Sequence, residues 1–161
     1  MRIDHIAYGV KNINETVEFF QEAFGYKIAD EFQISFGDNS TAKCITLNPP
    51  EKIRCMPYKF VHVGVWDLHL APEIYVIDGS SDSVVGKWVA ERNGIGGIHH
   101  VAYQVTSVKD TMAEWKEKGY AEFTTDDPLM HPGISRCYTK PCKLTGIVYE
   151  FIERDKNLHL R

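Results

Sequence analysis

The pattern His-apolar-Ala-Tyr-x-Val occurs twice in this chain, as HIAYGV from His5 and as HVAYQV from His100. A repeat that holds register beyond a few letters means one structural unit written twice, which constrains the fold more than any composition value. Displacing the chain by 95 residues brings His5 onto His100, Ala7 onto Ala102, Tyr8 onto Tyr103 and Val10 onto Val105. Asn12 then meets Ser107, and Glu15 meets Asp110. Each pair is a capping residue followed three positions later by an acidic one, the signature of a helix start. Val17 with Phe20, and Met112 with Trp115, supply apolar positions on one helix face. Gly25 and Gly119 close both helices after a one-residue slip.

Beyond each helix the pattern turns to strands. SRCYTKP and GIVYEFIER in the second half are rich in aromatic and β-branched residues, as are TAKCITLNP, YKFVHVGVWDLHL and PEIYVID in the first. SDSVVGKWVAERNG reads as a linking helix with Val84, Val85, Trp88 and Val89 as its apolar face. The expected organisation is α+β: a first βαβββ module over 1–78 with an insertion in 30–72, a linking helix and turn over 79–97, and a second βαβββ module over 98–161. Together they form one domain with a curved mixed sheet.

With 161 residues and a net charge of −4, the chain has no footprint for nucleic acid or anionic membrane. No apolar run approaches spanning length, and MRIDHIAYGV lacks the core of a secretory leader, so a cytoplasmic location is expected. The four cysteines form no CxxC pair and read as free thiols.

Strand alternation selects the working side chains. Ile6, Tyr8 and Val10 make a large apolar face for the helix, leaving His5 and Ala7 on the other. Val101, Tyr103 and Val105 do the same, so His100 and Gln104 face away from the helix while His99 falls on the packing side or at the strand mouth. Glu73 and Glu150 open the echoing segments EIYVID and EFIERD, poor places for a lone buried carboxylate unless an ion or partner neutralises it. Two histidines and two glutamates, one of each per module, are expected to meet on the pseudo-two-fold axis. His62 and His69 read as facing solvent or lining the pocket.

These segments resemble the vicinal oxygen chelate superfamily, which includes glyoxalase, extradiol dioxygenases, methylmalonyl-CoA epimerase, 4-hydroxyphenylpyruvate dioxygenase and bleomycin-resistance proteins. IDHIAYGVKNINETVEFFQEAFGYK and VGKWVAERNGIGGIHHVAYQV are similar to the epimerases, with GIHHVA the most specific mark. YTKP and TGIVYEFIER are similar to the end of the 4-hydroxyphenylpyruvate dioxygenase catalytic half. The resemblance implies a cup around one divalent ion (Zn, Co, Ni, Mn or Fe) held by His5, Glu73, His100 and Glu150. It also implies a homodimer acting on a small molecule. One departure stands out: Cys44 occupies the strand position where the epimerases carry a catalytic glutamate. Candidate proton carriers are therefore Glu73, Glu150 and Cys44; Gln104, Lys140 and Lys143, the last two in a loop with Thr145, are candidate substrate contacts.

The expected chemistry is proton transfer beside a carbonyl of an acyl thioester or 2-oxo compound, with an enolate stabilised as it forms. A second expectation is an Fe(II) dioxygenase, ranked lower because eleven residues after Glu150 leave little for a closing helix. A third is a metal-free ligand-sequestering protein, which the full set of candidate ligands disfavours.

Overall fold

The computed structural model describes residues 1–36, 40–50 and 72–154. The predicted strand YKFVHVGVWDLHL, with His62 and His69, lies outside the described residues. In chain order the elements are β1 (Arg2–Val10), α1 (Ile13–Phe24), β2 (Lys27–Ser35), β3 (Thr41–Asn48), β4 (Glu73–Asp78), α2 (Val84–Glu91), β5 (Gly97–Gln104), α3 (Val108–Glu117), β6 (Leu129–His131), β7 (Ile134–Tyr138) and β8 (Val148–Arg154). KIADEFQIS, which the sequence reading passed over, is β2; its exposed, charged face hides the strand signal.

Both helices begin as the echo demands. The Asn12 side chain accepts from the Glu15 amide at 3.3 Å, and the Ser107 hydroxyl accepts from the Asp110 amide at 3.2 Å. Such caps satisfy amides that would otherwise lack a partner at a helix start. Gly25 (φ +73°) and Gly119 (φ +65°) take the left-handed conformation after the two helices, which a side chain resists. Helix α2 starts at Ser83, whose hydroxyl accepts from the Gly86 amide at 3.1 Å. Within it Val85 and Val89 are buried, whereas Val84 is 37% exposed and leaves the predicted apolar face.

Among the described residues, one sheet contains eight strands in the order β2-β3-β4-β1-β5-β8-β7-β6. Read outward from the centre, each half runs first, fourth, third, second strand of its module, the pattern of an internal two-fold. β1 and β5 pair antiparallel at the axis, while β1 with β4 and β5 with β8 pair parallel. Tyr8, Val10, Ile74 and Val76 pack beneath Val17 and Phe20 of α1. Phe151 and Cys137 pack with Val108 and Met112 of α3. Helices α1 and α3 therefore cover one face, and the alternate residues line the other, where α2 packs Val85 and Val89 against Ala7 and Ile77. On that face the Arg136 Nη2 of β7 donates to the Ser35 carbonyl of β2 at 3.3 Å, bringing opposite arms of the sheet together as a cup.

Candidate metal centre

Two bulges at the central strand pair shape the site. Pairing between β1 and β5 skips Asp4 (Ile3 opposite Tyr103, His5 opposite Ala102) and skips His99 (Ala7 opposite His100, Tyr8 opposite Ile98). Asp4 and His99 are equivalent in the 95-residue repeat, so each module places one irregular residue immediately before its histidine. An extra residue breaks strict alternation and re-aims a side chain. The Asp4 carboxylate consequently accepts from His5 Nδ1 at 2.8 Å. His99 Nδ1 lies 2.9 Å from His100 Nδ1. His99, expected on the packing side or at the strand mouth, is buried, meets Trp88 edge-on and contacts His100.

His5, His100 and Glu150 each offer a ligand atom, and these atoms all lie within 4.8 Å of one another. All three residues are at most 1% exposed. Glu150 Oε2 stands 3.2 Å from His5 Nε2 and 3.2 Å from His100 Nε2. None of these atoms makes a hydrogen bond of acceptable geometry, and neither does Glu150 Oε1. Donors coordinating one ion at about 2.0–2.2 Å lie roughly 3.0–3.5 Å apart, which matches the two Glu150–histidine distances. Ionised Asp4 only accepts, so the His5 proton sits on Nδ1 and the Nε2 lone pair faces Glu150. At His100, an Nε2 lone pair free for a ligand requires the proton on Nδ1, with His99 Nδ1 as its acceptor.

The partners differ electrically. Burial alone would lower the His5 pKa, but hydrogen bonding to Asp4 and the nearby Glu150 carboxylate raise it. His100 has a neutral partner, and burial holds its pKa down despite Glu150. Burial and then the His100 ring push His99 down to about 3, so it stays uncharged. Asp4 is itself held by Arg154, whose Nε and Nη2 donate at 3.0 and 2.8 Å. Burial opposes ionisation of Glu150, yet the two imidazoles outweigh it and keep the carboxylate charged.

Glu73 lies outside the trio. The parallel pairs explain why: His5 faces Glu73 in β1–β4, whereas His100 faces Val148 in β5–β8, with Glu150 two residues further, opposite Ala102. The structural counterpart of Glu150 is therefore Tyr75, opposite Ala7, and the echo of EIYVID with EFIERD is out of register by two. Tyr75 stacks on the His5 ring at 3.7 Å between centroids and 7° between planes. Cys44 is on the cup side but fully buried, and burial pushes its thiol up to about 12, which removes it as a base near neutral pH. Iodoacetamide at pH 8 is expected to leave Cys44 unmodified until the protein is unfolded; labelling in the native state would restore it as a proton carrier.

Gln104 sits at the end of β5, where its side chain accepts from Arg2 Nε at 2.7 Å. Lys140 pairs with Glu122 at 2.6 Å and is more than half exposed; Lys143 lines a separate surface cleft with it. Neither joins the trio. The cup instead carries Arg136 and Tyr138, which the sequence reading did not single out. A cavity of about 500 Å³ lined by Phe36, Trp88, His99, Tyr138, Lys140 and Val148, among others, lies beside them.

A model of the glyoxalase/bleomycin resistance protein/dioxygenase superfamily matches residues 4–138. The chain belongs to this superfamily. Glu150 lies beyond the matched segment, so its place at the site rests on geometry. A selenomethionyl methylmalonyl-CoA epimerase shares 23% identity over 97% of both chains, with a TM-score of 0.69. The methylmalonyl-CoA epimerase of Mycobacterium tuberculosis shares 16% identity over 99% of this chain and 92% of that one, at 0.71. A variant of the Streptomyces coelicolor epimerase, in complex with 2-nitronate-propionyl-CoA, shares 22% identity over 96% and 97%, at 0.69. At these identities the likeness establishes the superfamily fold. No curated protein sequence matches this chain. Among the described residues, no helix is long and apolar enough to cross a membrane.

Proposed function

We propose that this protein is a metal-dependent enzyme of the epimerase and glyoxalase type, moving a proton beside the carbonyl of a small acyl thioester or 2-oxo substrate. The observation that carries the reading is the convergence of His5 Nε2, His100 Nε2 and Glu150 Oε2, buried and without hydrogen bonds, at the spacing of ligands to one ion. A divalent ion held by these residues would act as a Lewis acid on a substrate oxygen, lowering the cost of negative charge that develops there. Two imidazoles and a carboxylate suit Zn, Co, Ni, Mn or Fe. Glu150 uses Oε2 toward the imidazoles and leaves Oε1 as the proton acceptor on the cup face. Tyr138, whose phenol burial holds well above its ordinary pKa, stays protonated and serves as a donor. A cytoplasmic homodimer accompanies this reading as the family expectation.

A second reading has its own support. Two histidines and one carboxylate, with Glu73 apart and burial favouring the protonated Cys44 thiol near neutral pH, form the donor set of non-haem Fe(II) oxygenases and need no separate protein base. One experiment separates the two. Protein loaded with Zn, Co or Fe(II) is incubated in D₂O with a panel of acyl-CoA thioesters and 2-oxo acids, with and without oxygen. Deuterium at the carbon next to the carbonyl, independent of oxygen, supports proton transfer. Oxygen uptake that requires Fe(II) without such exchange supports the dioxygenase reading.

A further inference from the structure

The internal two-fold gives each position on β4 a counterpart on β8, and strand register fixes which. Ala7 of β1 faces Tyr75, and Ala102 of β5 faces Glu150. Ala7 and Ala102 are equivalent in the 95-residue repeat, so Tyr75 stands where the first module would supply its own version of Glu150. From its position Glu150 meets both imidazoles, with Oε2 3.2 Å from each Nε2. The two-fold exchanges His5 and His100, so position 75 faces the same pair from the other module. It is the place for a fourth donor, and a tyrosine fills it.

The tyrosine does not act as that donor. Its ring plane lies 7° from the His5 plane, with 3.7 Å between centroids. An ion bonded to Nε2 lies in the imidazole plane, about 2.0–2.1 Å from the nitrogen. A phenol oxygen on a parallel ring stands a van der Waals thickness out of that plane, beyond ligand distance. The stack instead covers one face of His5. Among the described residues, the ring contacts of His100 with His5, His99 and Tyr138 are all edge-on, with interplanar angles of 77°, 82° and 79°. The two modules therefore treat their histidines differently.

Tyr75 is itself held. Phe32 of β2 meets it edge-on at 6.2 Å, and both rings pack against the buried cluster that joins Ala7, Ile77 and α2. Arg154, which donates to Asp4 through Nε and Nη2, also lies beside the Tyr75 phenol. His5 is thus fixed at its Nδ1 edge by Asp4 and across its face by Tyr75, with Arg154 touching both. A ligand whose ring is locked by packing and by a hydrogen bond loses no freedom when the ion arrives.

We propose that Tyr75 is a positioning residue of the metal centre, filling the place of a fourth protein donor and clamping the His5 ring so that Nε2 stays aimed at the ion. The inference rests on the reading of His5, His100 and Glu150 as ligands and goes beyond it. The second module supplies a histidine and a carboxylate; the first supplies a histidine and the clamp that holds it.

The test uses the full chain as wild type, Tyr75→Phe, Tyr75→Leu and Tyr75→Glu, each checked for folding by circular dichroism. Zinc affinity is read by competition with a chelator, Co(II) coordination by visible absorption, and the His5 ring by proton–carbon resonances of the metal-free protein, assigned against His5→Ala. Tyr75→Phe keeps the stack, so it is expected to hold zinc within about threefold of wild type and to leave the Co(II) band unchanged. Tyr75→Leu is expected to bind zinc about 10- to 100-fold more weakly, the size of effect for a lost outer-shell partner. The His5 ring protons, shielded by the face of Tyr75, move downfield in Tyr75→Leu and stay in place in Tyr75→Phe. Tyr75→Glu loses the clamp but adds a donor, so it binds zinc at least about tenfold more tightly than Tyr75→Leu and shifts the Co(II) band.

Wild-type affinity with unmoved His5 resonances in Tyr75→Leu overturns the clamp. Zinc held no more tightly by Tyr75→Glu than by Tyr75→Leu overturns the assignment of the fourth position. A Tyr75→Phe protein as weak as Tyr75→Leu overturns stacking as the cause. Should Tyr75→Leu not fold, Tyr75→Met takes its place with the same expected losses. Wild-type protein that holds no zinc defeats the metal reading instead, and the resonances of the metal-free chains then decide the clamp by themselves.

Discussion

Replacing His100 with alanine is expected to abolish stoichiometric binding of a divalent ion, and Glu150→Gln is expected to do the same. Each removes one of three donors whose atoms lie within 4.8 Å of one another, and no other histidine, cysteine or acidic side chain among the described residues completes the group. His99→Ala behaves differently. It deletes only the group facing His100 Nδ1 at 2.9 Å, so affinity is expected to fall about 10- to 100-fold with one ion per chain still bound at saturation. Glu73→Gln leaves both stoichiometry and affinity within about threefold of wild type, since register puts Tyr75 rather than Glu73 opposite Ala7. Metal analysis after exhaustive dialysis, followed by calorimetric titration, reads all four variants; circular dichroism confirms that each is folded. Loss of metal in Glu73→Gln, or full affinity in His100→Ala, would defeat the three-donor assignment.

Asp4→Asn is expected to weaken the same site by about 10- to 100-fold and to change how the fold responds to acid. Burial opposes the Asp4 charge, but hydrogen bonds from His5 and Arg154 outweigh it and draw its pKa from 3.8 down to about 2. A carboxyl whose folded pKa lies below its unfolded value stabilises the protein fully above the unfolded value. That contribution disappears as pH falls through the folded one. Here the window runs from about pH 4 to about pH 2, with roughly 2 kcal/mol at stake and about 1 kcal/mol already lost at pH 3. Urea unfolding of metal-free protein at pH 7 and pH 3 measures it: wild type loses about 1 kcal/mol more than Asp4→Asn over that interval. Equal losses in the two proteins would remove Asp4 from the linkage. The variant also leaves Arg154, a partly buried cation, without its bidentate partner, so it starts from lower stability at pH 7.

Much of this was legible along the chain because the repeat is local. Caps at Asn12 and Ser107, glycines at 25 and 119, and the apolar faces of β1 and β5 depend on residues close in sequence, and their spacing carries the information. Strand alternation also separated His5 and His100 from the helix-facing residues. It failed at His99 because a bulge inserts a residue that no composition pattern announces. Letter matching likewise put Glu73 beside Glu150, since EIYVID and EFIERD look alike while parallel pairing offsets them by two. Arg136 carries no local signal at all. It stands between a serine and a cysteine on a short strand, and its meaning comes from Ser35, His131 and Glu150, up to 101 residues away.

By itself, then, the sequence determined two copies of a strand–helix–strand unit and the identity of the histidine in each. Periodicity and capping are one-dimensional properties, which survive being read without coordinates. Only the tertiary structure decided which carboxylate joins them, which residues meet their Nδ1 atoms, and that an arginine stands 4.0 Å from that carboxylate. Those follow from strand register and from the curl that brings β2 against β7, and both are set by pairings between distant segments rather than by neighbours in the chain.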